Sequence, residues 1–405
     1  TLHDPFLHVG RREAGRRSVF AKTISQAKGM RTMSILDNFT AISWQMIVMW
    51  AIGAILIYLA IAKEMEPALL LPMGFGAILV NLPFSGALMQ TYAGTLEEGV
   101  IDLLYNVGIA NELFPLLLFI GIGAMIDFGP LLSNPKMLLF GAAAQFGIFF
   151  TLGMAVLLGF DIRNAASIAI IGAADGPTSI FVANYYMSKY VGAIIVAAYS
   201  YMALVPIVQP PVIKMITTKK ERLIRMPYKP ASVSKSVRIL FPIVVTVIAG
   251  IAAPRSVALV GFLMFGNLIR ECGVLAALSQ TAQNALANLI TLLLGLSVAA
   301  KMRADLFVNR ETIMILALGL VAFIFDTVGG VMFAKFLNLF SKNKINPMIG
   351  AAGISAFPMS ARVVHKMGQD EDKQNFLLMH AVGANVSGQI ASVIAGGMIL
   401  SLIAR

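Results

Sequence analysis

Charged residues are scarce in this chain: Asp, Glu, Lys and Arg make up 13% of its 405 residues, about half the share that soluble domains carry. Hydrophobic residues make up 58%, and the mean hydropathy is +0.82. Apolar stretches recur along almost the whole length, and no polar stretch is long enough to build a second core. The composition therefore excludes a set of soluble domains and predicts one membrane domain surrounded largely by lipid.

The chain is also poor in side chains that bind transition metals. It has one cysteine, Cys272, so neither an internal disulfide nor a thiolate metal cluster can form. Its four histidines show none of the spacings of a zinc site. The sequence therefore gives no indication of zinc.

Basic residues exceed acidic ones by 11, and the excess is concentrated in two stretches. One lies within residues 11–31, and the other is the loop 214–238, where eight basic residues accompany the single acid Glu221. In a membrane protein, such clusters set orientation and contact anionic lipid more often than they bind polynucleotide. No nucleic-acid partner is therefore expected.

Residues 1–33 lack the apolar core of a signal peptide. They are expected to form a disordered basic tail or a non-native start, with residues 34–405 as a single membrane domain. The stretch 84–112 has four acids and no Lys or Arg, so it is predicted to be an outside loop or surface helix. The predicted apolar segments lie near residues 41–62, 67–83, 113–128, 136–160, 164–184, 190–213, 237–253, 255–271, 285–300, 311–338, 345–364 and 375–403.

Two of these segments cannot be ordinary membrane helices, because each carries a proline at a break in the pattern. The first, Ile171-Gly-Ala-Ala-Asp-Gly-Pro-Thr-Ser-Ile-Phe181, also places a carboxylate and a glycine at its centre. The second, Ile349-Gly-Ala-Ala-Gly-Ile-Ser-Ala-Phe-Pro-Met-Ser-Ala-Arg362, repeats the opening Ile-Gly-Ala-Ala. Helix interruption at membrane depth is tolerated where the backbone is buried in protein or lines a cavity, and transporters bind ions there.

The chain divides into two weakly similar halves of about five segments each. The first repeat covers about residues 67–213 and the second about 255–405, with a linker helix near 237–253 and an extra helix at 41–62. If every segment crosses the membrane, the halves are parallel; if the two broken segments are re-entrant, the halves are inverted. The basic loops favour the inverted arrangement, although the group at 301–310 then lies outside. We therefore predict an all-α polytopic membrane protein with two inverted repeats, each containing a broken or re-entrant helical hairpin.

Asp175 is the strongest single candidate for a functional residue. An ionised carboxylate in a bilayer costs several kcal/mol and usually faces a cavity, a partner or an ion. Gly176 and Pro177 free carbonyl groups beside it. Thr178 and Ser179 add hydroxyl oxygens, which suit a hard cation such as sodium. The alternative is a neutral aspartic acid that caps a helix.

Further polar residues fall in the apolar segments, and each admits a structural alternative. Tyr199-Ser-Tyr201 follows the first break, where a phenol can orient a carboxylate or satisfy a carbonyl. Asp326 is a candidate for a second carboxylate of an ion pathway. Arg362 ends the second break, where it can hold an incoming carboxylate or anchor a helix end. Neutral oxygens suited to sodium or to helix–helix contact lie at Asn346, Ser355, Ser360, Asn385, Ser387 and Gln389.

Four blocks of the sequence resemble the beta subunit of the sodium-transporting carboxylic acid decarboxylases, a family that includes the oxaloacetate, methylmalonyl-CoA, malonate and glutaconyl-CoA decarboxylases. The blocks are G-A-A-D-G-P-T-S-I-F, A-A-Y-S-Y-M-A-L-V-P-I-V-Q-P-P, N-K-I-N-P-M-I-G-A-A-G-I-S-A-F-P-M-S-A-R-V and N-F-L-L-M-H-A-V-G-A-N-V-S-G. They are long and ordered, and the likeness extends from about Trp44 to the end of the chain.

The resemblance implies a mechanism for the whole complex. A soluble carboxyltransferase alpha subunit moves a carboxyl group from the substrate onto biotin, which a mobile biotin carrier domain holds. Carboxybiotin then docks at the cytoplasmic side of the beta subunit, where its decarboxylation drives Na+ outward and consumes a proton. A small single-span gamma or delta subunit, a homo-oligomer within the complex and a multi-pass location in the prokaryotic cytoplasmic membrane are also implied.

The resemblance further implies roles for individual residues. The catalytic group is expected to be Asp175, which exchanges sodium and protons, with Tyr201 and Arg362. Carboxybiotin is expected to bind at Arg362, Asn346 and Ser355, and Gly350 matches a further family position. Na+ is expected at Asp175, Thr178, Ser355 and Asn385.

One alternative to the pump subunit comes from the residues alone. A stand-alone sodium-coupled secondary transporter of a small carboxylate would use the inverted halves, Asp175 and Arg362 without any biotin partner. The two hypotheses differ in whether companion subunits and carboxybiotin are required.

Overall fold

The structure, a computed structural model, describes residues 35–92, 95–227 and 233–403. The predicted tail at 1–33 and part of the basic loop lie outside the described residues. α-Helices dominate the rest, and most predicted segments match helices within a few residues. The α-helices are α1 (Ile35–Thr40), α2 (Trp44–Ala62), α3 (Pro67–Val80), α4 (Val100–Tyr105), α5 (Leu113–Met125), α6 (Gly129–Ser133), α7 (Leu138–Ala144), α8 (Phe146–Leu157), α9 (Ile162–Ala169), α10 (Gly176–Tyr185), α11 (Val191–Ile216), α12 (Lys219–Arg222), α13 (Lys235–Ala252), α14 (Val257–Cys272), α15 (Ala276–Thr281), α16 (Ala287–Val298), α17 (Ala304–Phe307), α18 (Arg310–Phe340), α19 (Met348–Ala351), α20 (Met359–Glu371) and α21 (Leu378–Leu402).

The acidic stretch 84–112 differs from its prediction as a loop or surface helix. It contains a two-stranded antiparallel hairpin of β1 (Gln90–Tyr92) and β2 (Thr95–Glu97), so the fold is not purely helical. After the hairpin, α4 continues through a π-helical turn to Ala110 and meets α5 at a bend of 60°. The second part of this stretch is therefore helical, and together with α5 it is long and apolar enough for one broken span.

Seven helical segments among the described residues are long and apolar enough to cross a membrane, and the bent pair α4–α5 would make eight. This confirms the polytopic membrane class. Only 22% of the apolar window in α2 and 11% of that in α13 is buried by protein. The helix at 41–62 and the linker helix therefore lie at the periphery of the fold, outside the main core.

Helices from the first and second parts of the chain pack against each other. Helix α3 packs on α16 and α14 packs on α5, while α11 packs on α18 and α21 packs on α7. The closest approach is made by glycines: a Cβ on Gly123 would overlap the carbonyl of Leu263, and one on Gly266 would overlap the carbonyl of Ile120. Small residues allow membrane helices to approach closely, because lipid supplies no hydrophobic force to hold them together. The core is therefore built by close packing between helices that are far apart in the chain.

Candidate functional site

The first break separates two short helices in the interior of the fold. Helix α9 runs into a 3₁₀ turn that ends at Ala173, and Ala174 takes a left-handed conformation with φ of +52°. Asp175 is then extended and caps α10, whose first residues are Gly176 and Pro177. Proline is compatible with the first turn of a helix, where its missing N–H has no intrahelical partner. The sequence therefore ends one helix and begins another with the carboxylate between them.

The carboxylate of Asp175 is buried, with 3% of the residue exposed. One oxygen, Oδ1, accepts the backbone N–H of Thr178 at 3.1 Å, and the other, Oδ2, accepts the hydroxyl of Ser392 at 2.6 Å. The hydroxyls of Thr178 and Ser355 also face it. No salt bridge among the described residues involves this carboxylate. It is thus held by neutral donors, an arrangement in which Na+ or a proton can supply the missing positive charge.

The second break lies directly against the first. Helix α19 ends at Ala351 and α20 begins at Met359. Between them, the N–H of Ser355 donates to the carbonyl of Ala173 at 3.1 Å, so the backbones of the two breaks are hydrogen-bonded to each other. The structure therefore brings together the two segments that the sequence marked as broken.

Helix α21 joins the second break to the carboxylate. The Asn385 amide donates to the carbonyl of Ile354 at 2.7 Å. The Gln389 amide donates to the hydroxyl of Ser355 at 3.0 Å and also to its carbonyl. Ser392, one turn further on, reaches Asp175. Three polar side chains of one helix therefore line the place where the breaks meet.

Several buried oxygens in this region lack a donor. The Oδ1 of Asn385, the Oε1 of Gln389 and the Oη of Tyr199 form no hydrogen bond within the part of the chain that the structure describes. An unsatisfied buried acceptor costs about 1–3 kcal/mol, so such groups are uncommon. A hard cation satisfies carboxylate, amide and hydroxyl oxygens together. This donor set suits Na+ and offers no soft ligand.

The two tyrosines of the Tyr-Ser-Tyr motif have different surroundings. Tyr199 lies against the first break, since a Cβ on Gly176 would overlap its ring. Tyr201, which the family resemblance selects, donates its hydroxyl to the carbonyl of Leu316 on α18. Residues two apart on a helix point in roughly opposite directions. The structure therefore brings Tyr199 to the carboxylate and turns Tyr201 toward α18.

Asn346 is hydrogen-bonded to the first part of the basic loop 214–238. Its amide donates to the carbonyls of Arg222 and Ile224 at 2.8 and 2.9 Å, and its oxygen accepts the N–H of Met348 at 3.1 Å. Both the NH2 group and the oxygen of the Asn346 side chain therefore form hydrogen bonds within the protein. The structure does not bring Asn346 to the Asp175 carboxylate in this conformation.

Arg362 lies in the first turn of α20 and is exposed. Its guanidinium forms no hydrogen bond or ion pair with the described residues, whereas Arg222 and Arg225 of the basic loop are both paired with acids. Glu66, which precedes α3, is near enough to feel its charge: burial raises the pKa of Glu66, and Arg362 opposes that rise. The guanidinium is therefore free to bind an incoming carboxylate.

Ser392 is the residue of this site that sequence reasoning missed. A signal for it was present, because Asn385, Gln389 and Ser392 follow the spacing i, i+4, i+7 of one helix face. Two of the three were singled out as neutral oxygens. Extending the stripe by one turn would have found the donor to the carboxylate.

Comparison with known proteins agrees with the geometry. Residues 45–403 match the family described as Na+-transporting oxaloacetate decarboxylase beta subunit. The chain is 49% identical to the methylmalonyl-CoA decarboxylase subunit beta of Propionigenium modestum, over 90% of this chain and 96% of that protein. It is 49% identical to the glutaconyl-CoA decarboxylase subunit beta of Acidaminococcus fermentans, over 91% and 96%. The oxaloacetate decarboxylase beta chain of Haemophilus ducreyi is 45% identical, over 88% and 94%.

Proposed function

Because the chain belongs to the family of Na+-transporting oxaloacetate decarboxylase beta subunits, we propose that it is the membrane subunit of a sodium-pumping decarboxylase. It couples the decarboxylation of carboxybiotin to outward Na+ transport and consumes a proton. Relatives of similar identity are named for three different acids. Substrate choice therefore belongs to another subunit of the complex.

The proposal divides the chemistry between a mobile group and fixed residues. Carboxybiotin supplies a carboxyl group whose loss as CO2 leaves the electron pair of the broken N–C bond on nitrogen, which takes up one proton. Arg362 binds the carboxylate through its free guanidinium. Asp175 holds either Na+ or a proton, and Ser392 and the N–H of Thr178 keep its ionised form in place. Na+ and H+ thus compete for one carboxylate.

The sodium ligands in this proposal are oxygens of the two breaks and of α21. Asp175 supplies the charge, and Thr178, Ser355 and Asn385 supply neutral oxygens, as the resemblance implies. Gln389 joins them, because its Oε1 is buried and lacks a donor. Tyr199 adds a phenol oxygen beside the break, and Tyr201 supports the same helix through its bond to α18.

The architecture proposed with this function is a pair of inverted repeats, at about residues 67–213 and 255–405. Two observations support it. Helices of the two proposed repeats pack against each other, and the two broken segments meet each other through the bond from Ser355 to Ala173. Elements that enter from opposite faces and meet near the middle produce such a meeting point.

The partners follow from the subunit name shared by the relatives. We propose a carboxyltransferase alpha subunit, a biotin carrier domain and a small single-span subunit, assembled with more than one copy of this chain in a prokaryotic cytoplasmic membrane. The paired and anchored basic loop, held by Asn346, Glu371 and Asp372, lies on the same side as Arg362 in this scheme. A stand-alone transporter is disfavoured, because the relatives that cover about nine-tenths of the chain are named as decarboxylase subunits.

The observation that carries the proposal is the buried carboxylate of Asp175 between two hydrogen-bonded breaks. Its test is CO2 release from carboxybiotin by the purified complex as a function of Na+. Asp175→Asn keeps the size of the side chain but removes its charge, so we expect near-complete loss of Na+-dependent release. Asp305→Asn is the matched control, since Asp305 is exposed and pairs with an exposed arginine. Retained Na+ dependence in Asp175→Asn would remove this residue from the proposed role.

A further inference from the structure

Helix α18 packs against both broken segments. Near its middle, Ala322 lies against Gly172, where an added Cβ would come within 3.1 Å of the alanine methyl group. Two turns later, Gly330 and Gly350 approach so closely that a Cβ on either would overlap the carbonyl of the other. Asp326 lies between these contacts, one helical turn from each. The carboxylate of Asp326 therefore lies on the face of α18 that packs against both broken segments.

Asp326 is completely buried, with 0% of the residue exposed. Neither carboxylate oxygen has a hydrogen-bond partner of normal geometry among the described residues. The groups beside it are the backbone amides of Gly147 and Ile148, at the start of the 12-residue helix α8. The fit is close, because a Cβ on Gly147 would collide with Oδ1 of Asp326. A glycine at this place lets the carboxylate approach the backbone of α8.

The surroundings favour a proton over Na+ at this carboxylate. Na+ needs several oxygen ligands, but the groups beside this carboxylate are backbone N–H groups where α7 passes into α8, and N–H groups stabilise an anion and do not bind a cation. A proton neutralises a buried carboxylate without other ligands. The nearby amides in turn lower the cost of the ionised state.

No other charged group of the described residues faces this position. Helices α7, α8 and α19 and the turn at 170–173 carry no titratable residue. The titratable residues of the other helices packed against α18 are Tyr199, Tyr201 and Lys214 of α11 and Arg163 of α9. The other charged residues of α18 itself are Arg310, Glu311 and Lys335. Lys335 pairs with Glu221, and Lys189 lies 3.9 Å from Glu311, at the two ends of α18. A charge on Asp326 is therefore uncompensated by any side chain.

We propose that Asp326 is a second ion-exchanging carboxyl of the transport pathway, and that it binds a proton while Na+ stays at Asp175. Its carboxylic acid releases one H+ to leave a carboxylate held by the amides of Gly147 and Ile148, and it takes up one H+ in return. One proton is also the amount that each decarboxylation consumes. The inference rests on the proposed function for its role in turnover, whereas the protonation of Asp326 is independent of it.

The test compares Asp326→Asn and Asp175→Asn with the wild-type complex in three measurements. Infrared spectroscopy of the resting complex at saturating Na+, where Asp175 is ionised, is expected to show a carboxylic C=O band that persists in Asp175→Asn and disappears in Asp326→Asn. Equilibrium dialysis with Na+ is expected to show unchanged binding in Asp326→Asn and a loss in Asp175→Asn. Na+-dependent CO2 release is expected to fall at least about tenfold in Asp326→Asn, with a changed pH profile. Asp326→Glu, which restores a carboxyl, is expected to restore the band.

Each other outcome contradicts the inference. Loss of Na+ binding in Asp326→Asn would make this residue a sodium ligand. Absence of the band in the wild type, or its persistence in Asp326→Asn, would show that Asp326 carries no proton. Unchanged CO2 release in Asp326→Asn would make the carboxyl structural. If the band behaves as expected but the wild-type complex releases no CO2 in response to Na+, the pump function fails while the proton site stands.

Discussion

The hydroxyl of Ser392 offers the sharpest test of how Asp175 is held. Both residues are buried, and the serine donates to Oδ2 over 2.6 Å, which is typical of a charge-assisted hydrogen bond. Ser392→Ala removes this donor and leaves the backbone N–H of Thr178 on the other oxygen. The variant therefore weakens the support of the ionised carboxylate without removing the charge.

The loss of Na+ binding free energy in Ser392→Ala follows from the difference between a hydrogen bond to a charged group and one to a neutral group. A bond to a charged group contributes about 1.5–3 kcal/mol, and a neutral one about 0.5–1.5 kcal/mol. Na+ binds the ionised carboxylate, whereas the sodium-free site holds the protonated form. The loss to Na+ binding is therefore the difference, about 1–1.5 kcal/mol. This corresponds to a rise of roughly five- to twelvefold in the Na+ concentration that gives half-maximal activity.

The assay is CO2 release from carboxybiotin by the purified complex over a range of Na+ concentrations at constant pH. Ser392→Ala is expected to raise the half-saturating Na+ concentration, with the maximal rate recovered at high Na+. The matched control is Ser401→Ala on the same helix, whose hydroxyl donates to the carbonyl of Gly397 at 2.9 Å and touches no carboxylate. An unchanged half-saturating concentration in Ser392→Ala would refute the assigned role of the hydroxyl.

Two further variants test the packing around the site. Gly176→Ala places a methyl group into the ring of Tyr199, so we expect a lower melting temperature and loss of Na+-dependent CO2 release. Glu371→Gln removes the charge that pairs with Arg222 over 2.6 Å, where both side chains are largely buried. It is expected to destabilise the docked basic loop by about 1–3 kcal/mol, measured as faster trypsin cleavage after Arg222 and Arg225.

Each of these variants has a matched control. Gly153→Ala adds the same methyl group where nothing lies within 4 Å, so stability and activity should remain as in the wild type. Asp305→Asn breaks an ion pair with exposed Arg303, which is worth at most about 1 kcal/mol. If Gly176→Ala behaves like Gly153→Ala, Tyr199 does not lie against the break. If Glu371→Gln leaves trypsin cleavage unchanged, the pair with Arg222 does not hold the loop.

The site could be predicted from the sequence as far as local chemistry reached. Asp175, Gly176 and Pro177 break an apolar segment wherever they occur in a membrane, because a buried charge and a missing N–H cannot be hidden in a regular helix. The second break near Ser355 followed from the same reasoning. Convergence of the two could be proposed from internal similarity, and the bond from Ser355 to Ala173 confirms it.

Other contacts depended on the direction in which a side chain points. Tyr199 and Tyr201 are two residues apart on one helix, and composition cannot tell which of them faces a carboxylate and which faces α18. The hydrogen bonds from the Asn346 amide to the carbonyls of Arg222 and Ile224 could not be predicted either. These partners are more than 120 residues away in the chain. Local sequence patterns cannot predict contacts between residues so far apart in the chain.

The sequence by itself determined that lipid surrounds most of this protein, and it determined where the helices must end. Hydropathy and helix-breaking residues act locally, since lipid forces every backbone group to find a partner within its own segment or against a packed neighbour. Only the tertiary structure decided which oxygens surround Asp175, and it alone set Asp326 against the amides of Gly147 and Ile148. These arrangements arise from close helix packing across the two halves, where a single methyl group would separate the partners.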